Sequence, residues 1–288
     1  MLNFINNLDK NSFIYKFLKK NLSKRAKYFI YSLRDFSKNI KLRIPKFILS
    51  KCIMNIKNRD GKKIYTMRNL GGSTAARGLN MFMSDPEVAE WIDKFPKNSS
   101  FLDIGANVGV YSLYAAHLNH NVIALEPESL NFACLNLNIK DNKFDEKITA
   151  YPFCAHNKDL VSHLNLRVMK FGGSGSTFDR NIDEGGKEFR SIYKQGSMST
   201  SIDKFLTNIS IKQINFIKID VDGNELNVIK GMEELLKSNY LKSIHIELNP
   251  EFIEHKDVFE ILNEAGFQKP IKHIWYEGQT VFNYTFDR

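Results

Sequence analysis

The sequence predicts an α/β fold, a mostly parallel sheet covered by helices on both faces. Three observations predict it. From Phe101 onward, short apolar runs alternate with stretches whose apolar residues recur at helical spacing. Two glycines, Gly105 and Gly109, stand where the first run passes into the first helix. The tail carries two β-rich runs separated by Gly278 with no helix between them, the pattern of an antiparallel hairpin at the sheet edge.

Each element follows from its residues. Phe101–Ile104 reads as the first strand, followed by a helix through Tyr111, Leu113, Tyr114 and Leu118. Val122–Leu125 is the second, followed by a helix through Phe132, Leu135 and Ile139. Ile148–Phe153 is the third. Ile214–Ile219 is the fourth, leading to a helix with Val228, Ile229, Met232, Leu235 and Leu236. Leu241–Leu248 is the fifth, and a helix from Glu251 to Ala265 closes on Gly266. Ile271–Tyr276 and Thr280–Phe286 bring the total to seven strands. One stretch breaks the rhythm. Residues 170–196 hold six glycines and weak periodicity, which predicts a long loop. Within it, Gly172-Gly173-Ser174-Gly175-Ser176-Thr177 is a candidate lid.

Composition bounds the function classes. Hydrophobic residues make up 43 % of the 288, with 22 Phe, enough for a well-buried core and inconsistent with a disordered or collagen-like chain. No run approaches the roughly 20 apolar residues that span a bilayer. The three cysteines, Cys52, Cys134 and Cys154, form no C-x-x-C pair, so neither a disulfide framework nor a cysteine zinc site is expected. With no secretory leader in residues 1–10, the expected compartment is the cytoplasm.

The net charge of +9 is unevenly placed. Residues 1–51 carry 13 Lys/Arg against Asp9 and Asp35, a net of +11, so the remainder is slightly acidic. From Phe13 to Ile40 the apolar residues Ile14, Leu18, Leu22, Ala26, Leu33 and Phe36 recur at helical spacing with lysines between them. A basic amphipathic helix over 13–40 suits packing on the body or a second subunit, or peripheral docking on the anionic inner face of a membrane. Nucleic acid is the least favoured partner, because the body offers no continuing basic track. The expected organisation is a helical arm and connector over 1–70 and one α/β domain over 71–288.

The sharpest motif is Asp103-Ile104-Gly105-Ala106-Asn107-Val108-Gly109 at the first strand-to-helix turn. In an open parallel sheet, ligands bind beyond the carboxyl ends of the strands near such a turn. Glu126, at the end of the second strand, stands where an acid accepts hydrogen bonds from ribose hydroxyls. A dinucleotide wants a central glycine where this chain has Asn107, and Asp103 repels a diphosphate. S-adenosylmethionine has no phosphate and carries an ammonium, a sulfonium and a ribose, which acids at two strand ends suit. The expected cofactor-binding set is Asp103, Gly105, Ala106, Asn107, Gly109, Glu126, Pro127, Cys154 and Ala155.

With Val110-Tyr111-Ser112 and Glu126-Pro127, that motif resembles the FkbM family of S-adenosylmethionine-dependent methyltransferases. Ile217-Lys218-Ile219-Asp220-Val221-Asp222-Gly223-Asn224-Glu225, continuing to Val228-Ile229-Lys230-Gly231, resembles the family's second signature, with Asp222 in place of the usual Glu. Ser201-Ile202-Asp203 and Ile246-Glu247 match as well, and the resemblance runs from Phe101 to the C-terminus. It implies a Rossmann-like class I methyltransferase fold and O-methylation of a hydroxyl on a sugar, glycan or related small metabolite, often in cell-surface polysaccharide biosynthesis. The arm and the Gly-rich loop lie outside the shared core. Rival readings are an RNA or protein methyltransferase recruited through the arm, and a non-catalytic protein that keeps the pocket.

An alcohol needs a base or a metal to remove or polarise its proton. Lys218 and Asp220 share one face of the fourth strand, with Asp220 above the crevice as the favoured base or acceptor-orienting group. His245 and Glu247 share a face of the fifth, where a lone His in an apolar strand reads as a core residue. The catalytic set is Asp220, Lys218 and Glu247. A divalent metal shared by Asp220 and Glu247 is an alternative, but not an EF-hand, because residue 231 is Gly where a bidentate Glu is needed. Glu225 suits the helix dipole. Arg68, Gly71, Gly72, Thr74 and Arg77 are candidates for a further wall, with Arg77 placed to grip an anionic sugar or phosphate.

Overall fold

The computed structural model describes residues 52–211, 213–274 and 277–288, and Ile53–Arg288 forms one compact unit. The helix expected over 13–40, with its membrane contact, lies outside the described residues.

An antiparallel hairpin opens the unit, β1 (Ile53–Lys57) with β2 (Lys63–Arg68). It buries Ile56, Tyr65 and Met67 in the same core as Leu113 and Leu135. The hairpin lies within residues 1–70, which the sequence assigns to an arm and connector, and it supplies side chains to the core of the unit. Three short helices follow, α1 (Thr74–Leu79), α2 (Met81–Ser84) and α3 (Pro86–Asp93). Pro86 begins α3, where a helix has no use for its missing N–H.

The chain then alternates through β3 (Ser100–Ile104), α4 (Val110–His117), β4 (Asn121–Leu125), α5 (Ser129–Asn142) and β5 (Ile148–Tyr151). Next come β6 (Cys154–Ala155), β7 (Leu160–Leu166), β8 (Thr177–Phe178) and β9 (Tyr193–Thr200). The last part holds α6 (Ile202–Asn208), β10 (Phe216–Ile219), α7 (Glu225–Lys230), α8 (Glu233–Lys237), β11 (Ser243–Leu248), α9 (Ile253–Glu264), β12 (Ile271–His273) and β13 (Phe282–Asp287).

Seven strands form the main sheet in the order β12-β13-β11-β10-β3-β4-β5, with β13 antiparallel to both its neighbours and the central strands parallel. The strands are apolar on both faces because helices cover both. Leu102, Ile217 and Ile244 pack with Val228, Leu235 and Val258 on one side. Phe101, Val122 and Phe216 pack with Trp91, Leu113 and Leu135 on the other. The fold is the Rossmann-like arrangement the sequence predicts.

Two expectations are corrected. Residues 170–196 are not a continuous loop: β8 and the start of β9 lie within them, in a second sheet of order β6-β9-β7-β8. The helix after β10 is split into α7 and α8 at Gly231, where a Cβ would stand 2.3 Å from the His156 carbonyl oxygen.

Candidate functional site

From β3 the sheet grows one way to β4 and β5, and from β10 the other way to β11, so the crevice opens at the tips of β3 and β10. Those tips touch. The Asp220 N–H donates to the Ile104 carbonyl at 3.1 Å, and a Cβ on Gly105 would lie 1.8 Å from the Asp220 carbonyl oxygen. Gly105 also has φ +81°, a region that L side chains avoid. Gly109, at φ +88°, begins α4 and lets Leu135 of α5 pack against its backbone.

A cavity of about 320 Å³ lies over this crevice. Of the expected cofactor residues, Gly105, Asn107, Glu126, Pro127, Cys154 and Ala155 wall it. Ala106 lines an adjoining cavity of about 300 Å³ that shares Arg77, Asp85, Gly105, Asn107, Tyr111, Lys218 and Asp220. Asp103 and Gly109 line neither. Asp103 is buried beside Lys218, its partner in register, and accepts the Ser112 hydroxyl at 2.5 Å. As the penultimate residue of β3 it stands beside Lys218 on the same face of the sheet, outside the wall of either cavity.

Glu126 sits at the β4 tip with one carboxylate oxygen accepting the Asn107 N–H at 2.7 Å and the other the Glu128 N–H at 2.9 Å. Burial pushes its carboxyl up to about 8 against the pull of those two bonds. Burial likewise pushes the Cys154 thiol up to about 12, so it is an inert wall group.

The three expected catalytic residues converge on the same cavity. Lys218 donates to Asp220 at 2.8 Å. Burial raises the Asp220 carboxyl, but the Lys218 ammonium outweighs it and holds Asp220 below the usual range. Glu247 stands the other way: burial, and then the charges of Asp220, Asp222 and Glu225, push it well up. Among the described residues no three His, Cys, Asp or Glu side chains are grouped as a metal site. His245 is a core residue, as expected, with its Nδ1 3.0 Å from the Thr285 hydroxyl.

The Gly-rich segment roofs the cavity. Asn107 and Asn131 donate to the Gly173 carbonyl at 2.7 and 3.0 Å, and Gly172 N–H donates back to Asn131 at 2.8 Å. Asp222 accepts Gly175 N–H at 2.8 Å and Ser176 N–H at 3.3 Å. Burial and the neighbouring Asp220 push the Asp222 carboxyl up to about 7.

Sequence reasoning missed Asp85, Tyr111, Asn131, Glu184 and Asn283, which also line the cavity. Asp85 begins α3 just before Pro86, an initiation signal that marks its place but not its direction. Asn131 has no local signal, since its partners are 41 and 42 residues away. Of the further wall, Arg77 reaches the cavity while Arg68 pairs with Asp141 of α5. Glu225 is structural: it accepts the N–H groups of Val221 and Gly223 and faces His255 Nε2 at 3.0 Å.

Seven carboxylates wall the main cavity (Asp85, Glu126, Glu128, Glu184, Asp220, Asp222 and Glu247) against two cations, Arg77 and Lys218. Asp220 is held ionised, and Glu126 and Asp222 lose their protons as pH rises through about 7 to 8. The wall therefore grows more anionic with pH and favours a ligand with a positive group over a diphosphate.

The chain is similar to a hexuronic acid methyltransferase, AglP, of Haloferax volcanii, with 28 % identity over 177 residues, 59 % of this chain and 63 % of that protein. It is similar also to Methyltransferase 1 of Beauveria bassiana, with 20 % identity over 49 % of this chain and 61 % of that protein. The chain spans under two thirds of the length of these relatives. A crystal structure of methyltransferase FkbM from Methylobacillus flagellatus KT aligns over 66 % of this chain and 44 % of that one, at 17 % identity and a TM-score of 0.42. The methyltransferase FkbM domain model matches residues 103–269, more than half of the chain, and the protein belongs to that methyltransferase family.

Proposed function

We propose that the protein is an S-adenosylmethionine-dependent O-methyltransferase acting on a hydroxyl of a sugar, glycan or related small metabolite. The observation that carries this reading is the shared cavity: a ribose-type acceptor, Glu126, at one tip and the Lys218, Asp220 and Glu247 group at the others. When bound, the cofactor supplies an electrophilic methyl on a sulfonium. The residues present fit it, since the cavity sets Glu126 at the β4 tip beside the apolar walls of Phe153 and Ala155 and is lined by seven acids against two cations.

Glu126 accepts from the ribose hydroxyls, while Phe153, Cys154 and Ala155 wall the base. Glu247 takes the proton of the acceptor hydroxyl, because a carboxyl that burial and neighbouring acids push well up is the stronger base once ionised. Asp220, held ionised by Lys218, orients the same hydroxyl. The roof at Gly172–Gly175 excludes water. Methylation of a uronic acid, the activity the AglP name describes, supports a sugar as acceptor.

The test is transfer of labelled methyl from S-adenosylmethionine to a panel of glycans, RNA and protein. Label on a glycan hydroxyl, lost in Glu247→Gln while nucleoside binding persists, supports the reading. Label on RNA or protein alone overturns it.

A further inference from the structure

The two adjoining cavities share the turn at Gly105–Asn107 and diverge from it. Only the first touches Glu126, Pro127 and Phe153, the end suited to a nucleoside. Only the second touches Ser73, Asn80 and Val110. A methyl donor of the proposed class has a nucleoside at one end and an α-amino acid at the other, and the zwitterion needs one group of each charge.

Two cations border both cavities, Lys218 and Arg77. Lys218 is already paired with Asp220 at 2.8 Å. Arg77, on α1, donates its Nε to the Gly172 carbonyl at 3.3 Å, and its terminal nitrogens meet no acceptor among the described residues. A guanidinium with its fork free matches a carboxylate in two parallel hydrogen bonds. The required anion stands nearby: Asp85 borders both cavities and accepts the Tyr111 hydroxyl at 3.0 Å, leaving its other oxygen for an ammonium.

We infer that the second cavity is the amino-acid subsite of the methyl donor, with Arg77 binding its carboxylate and Asp85 its ammonium. This rests on the cofactor reading above. Arg77 lies upstream of residues 103–269, so the family match does not assign it. It also reassigns Arg77 from the acceptor, where the sequence placed it, to the donor.

The test is calorimetry on the full chain with three nucleosides. S-adenosylhomocysteine has both amino-acid groups, decarboxylated S-adenosylmethionine has only the amine, and 5′-methylthioadenosine has neither. Arg77→Gln should weaken S-adenosylhomocysteine about 10- to 100-fold, the loss of one charge-assisted pair, and leave the other two within about twofold. Asp85→Asn should weaken the two amine-bearing ligands and spare 5′-methylthioadenosine. Equal weakening of all three by Arg77→Gln would mean that Arg77 acts through the roof at Gly172 and would overturn the assignment. Unchanged S-adenosylhomocysteine binding would overturn it too, and would return Arg77 to the acceptor. Wild-type protein that binds none of the three removes the cofactor reading itself.

Discussion

The Asp222 carboxylate accepts the backbone N–H of Gly175 at 2.8 Å, tying the loop after β10 to the roof that hangs from the second sheet. Asp222 also has φ +57°, a left-handed conformation that Asp and Asn tolerate and alanine does not. With its carboxyl pushed up to about 7, the clasp is charged above neutrality and uncharged below. Protection of the 172–176 amides in hydrogen exchange, corrected for intrinsic rates, should therefore rise as pH climbs through about 7. In Asp222→Asn the protection should be lower above pH 7, by about 1–2 kcal/mol in opening free energy, and flat with pH.

Glu126 gives the second prediction. Ribose hydroxyls donate, so they prefer the ionised carboxylate, yet burial holds the proton up to about 8. Affinity for S-adenosylhomocysteine should rise with pH through about 8 and level off above it, with protons released on binding. Glu126→Gln should bind more weakly with no such slope. The same raised carboxyl gives the ligand-free protein stability at acid pH that is lost as pH rises from its ordinary value of 4.5 through about 8. Melting temperatures across that range, for wild type and Glu126→Gln, check the sign.

Gly105→Ala should be among the most damaging single changes in the chain. Its Cβ would fall 1.8 Å from the Asp220 carbonyl oxygen in a backbone region costly for alanine, so β3 and β10 must part. A loss of about 3 kcal/mol or more is expected in denaturant melts, together with loss of nucleoside binding.

Much of this was legible in advance. The seven strands, both covering layers and the cluster of Glu126, Asp220 and Glu247 follow from apolar periodicity and from acids at strand ends. The second sheet was not, because Tyr193–Thr200 is mostly polar and β8 has two residues, leaving no periodic signal. The roof clasps were not either, since Asp222 and Asn131 reach partners more than 40 residues away. Asp103 is a simpler case. Sequence places an acid near a strand end, and in the structure it stands one residue short of the tip, beside Lys218 and outside the wall of either cavity.

The Glu225 and His255 pair supplies a stability prediction. His255 Nδ1 accepts the Asn249 N–H at 2.8 Å, which puts the ring proton on Nε2, facing Glu225. Both side chains are buried, so His255→Ala leaves one carboxyl oxygen of Glu225 without its donor and should cost about 1–3 kcal/mol. Because Glu225 also holds the Val221 and Gly223 amides, the Asp220–Asp222 loop should loosen too, visible as faster amide exchange there.

An acid-lined crevice at the tips of β3, β4 and β10 takes a phosphate-free nucleoside in preference to a dinucleotide. Calorimetry of the wild-type protein at pH 8.5 against S-adenosylhomocysteine and NAD tests it directly. The account predicts saturable binding of the first, abolished in Glu126→Ala, and no heat from the second. Binding of NAD with indifference to S-adenosylhomocysteine would contradict it.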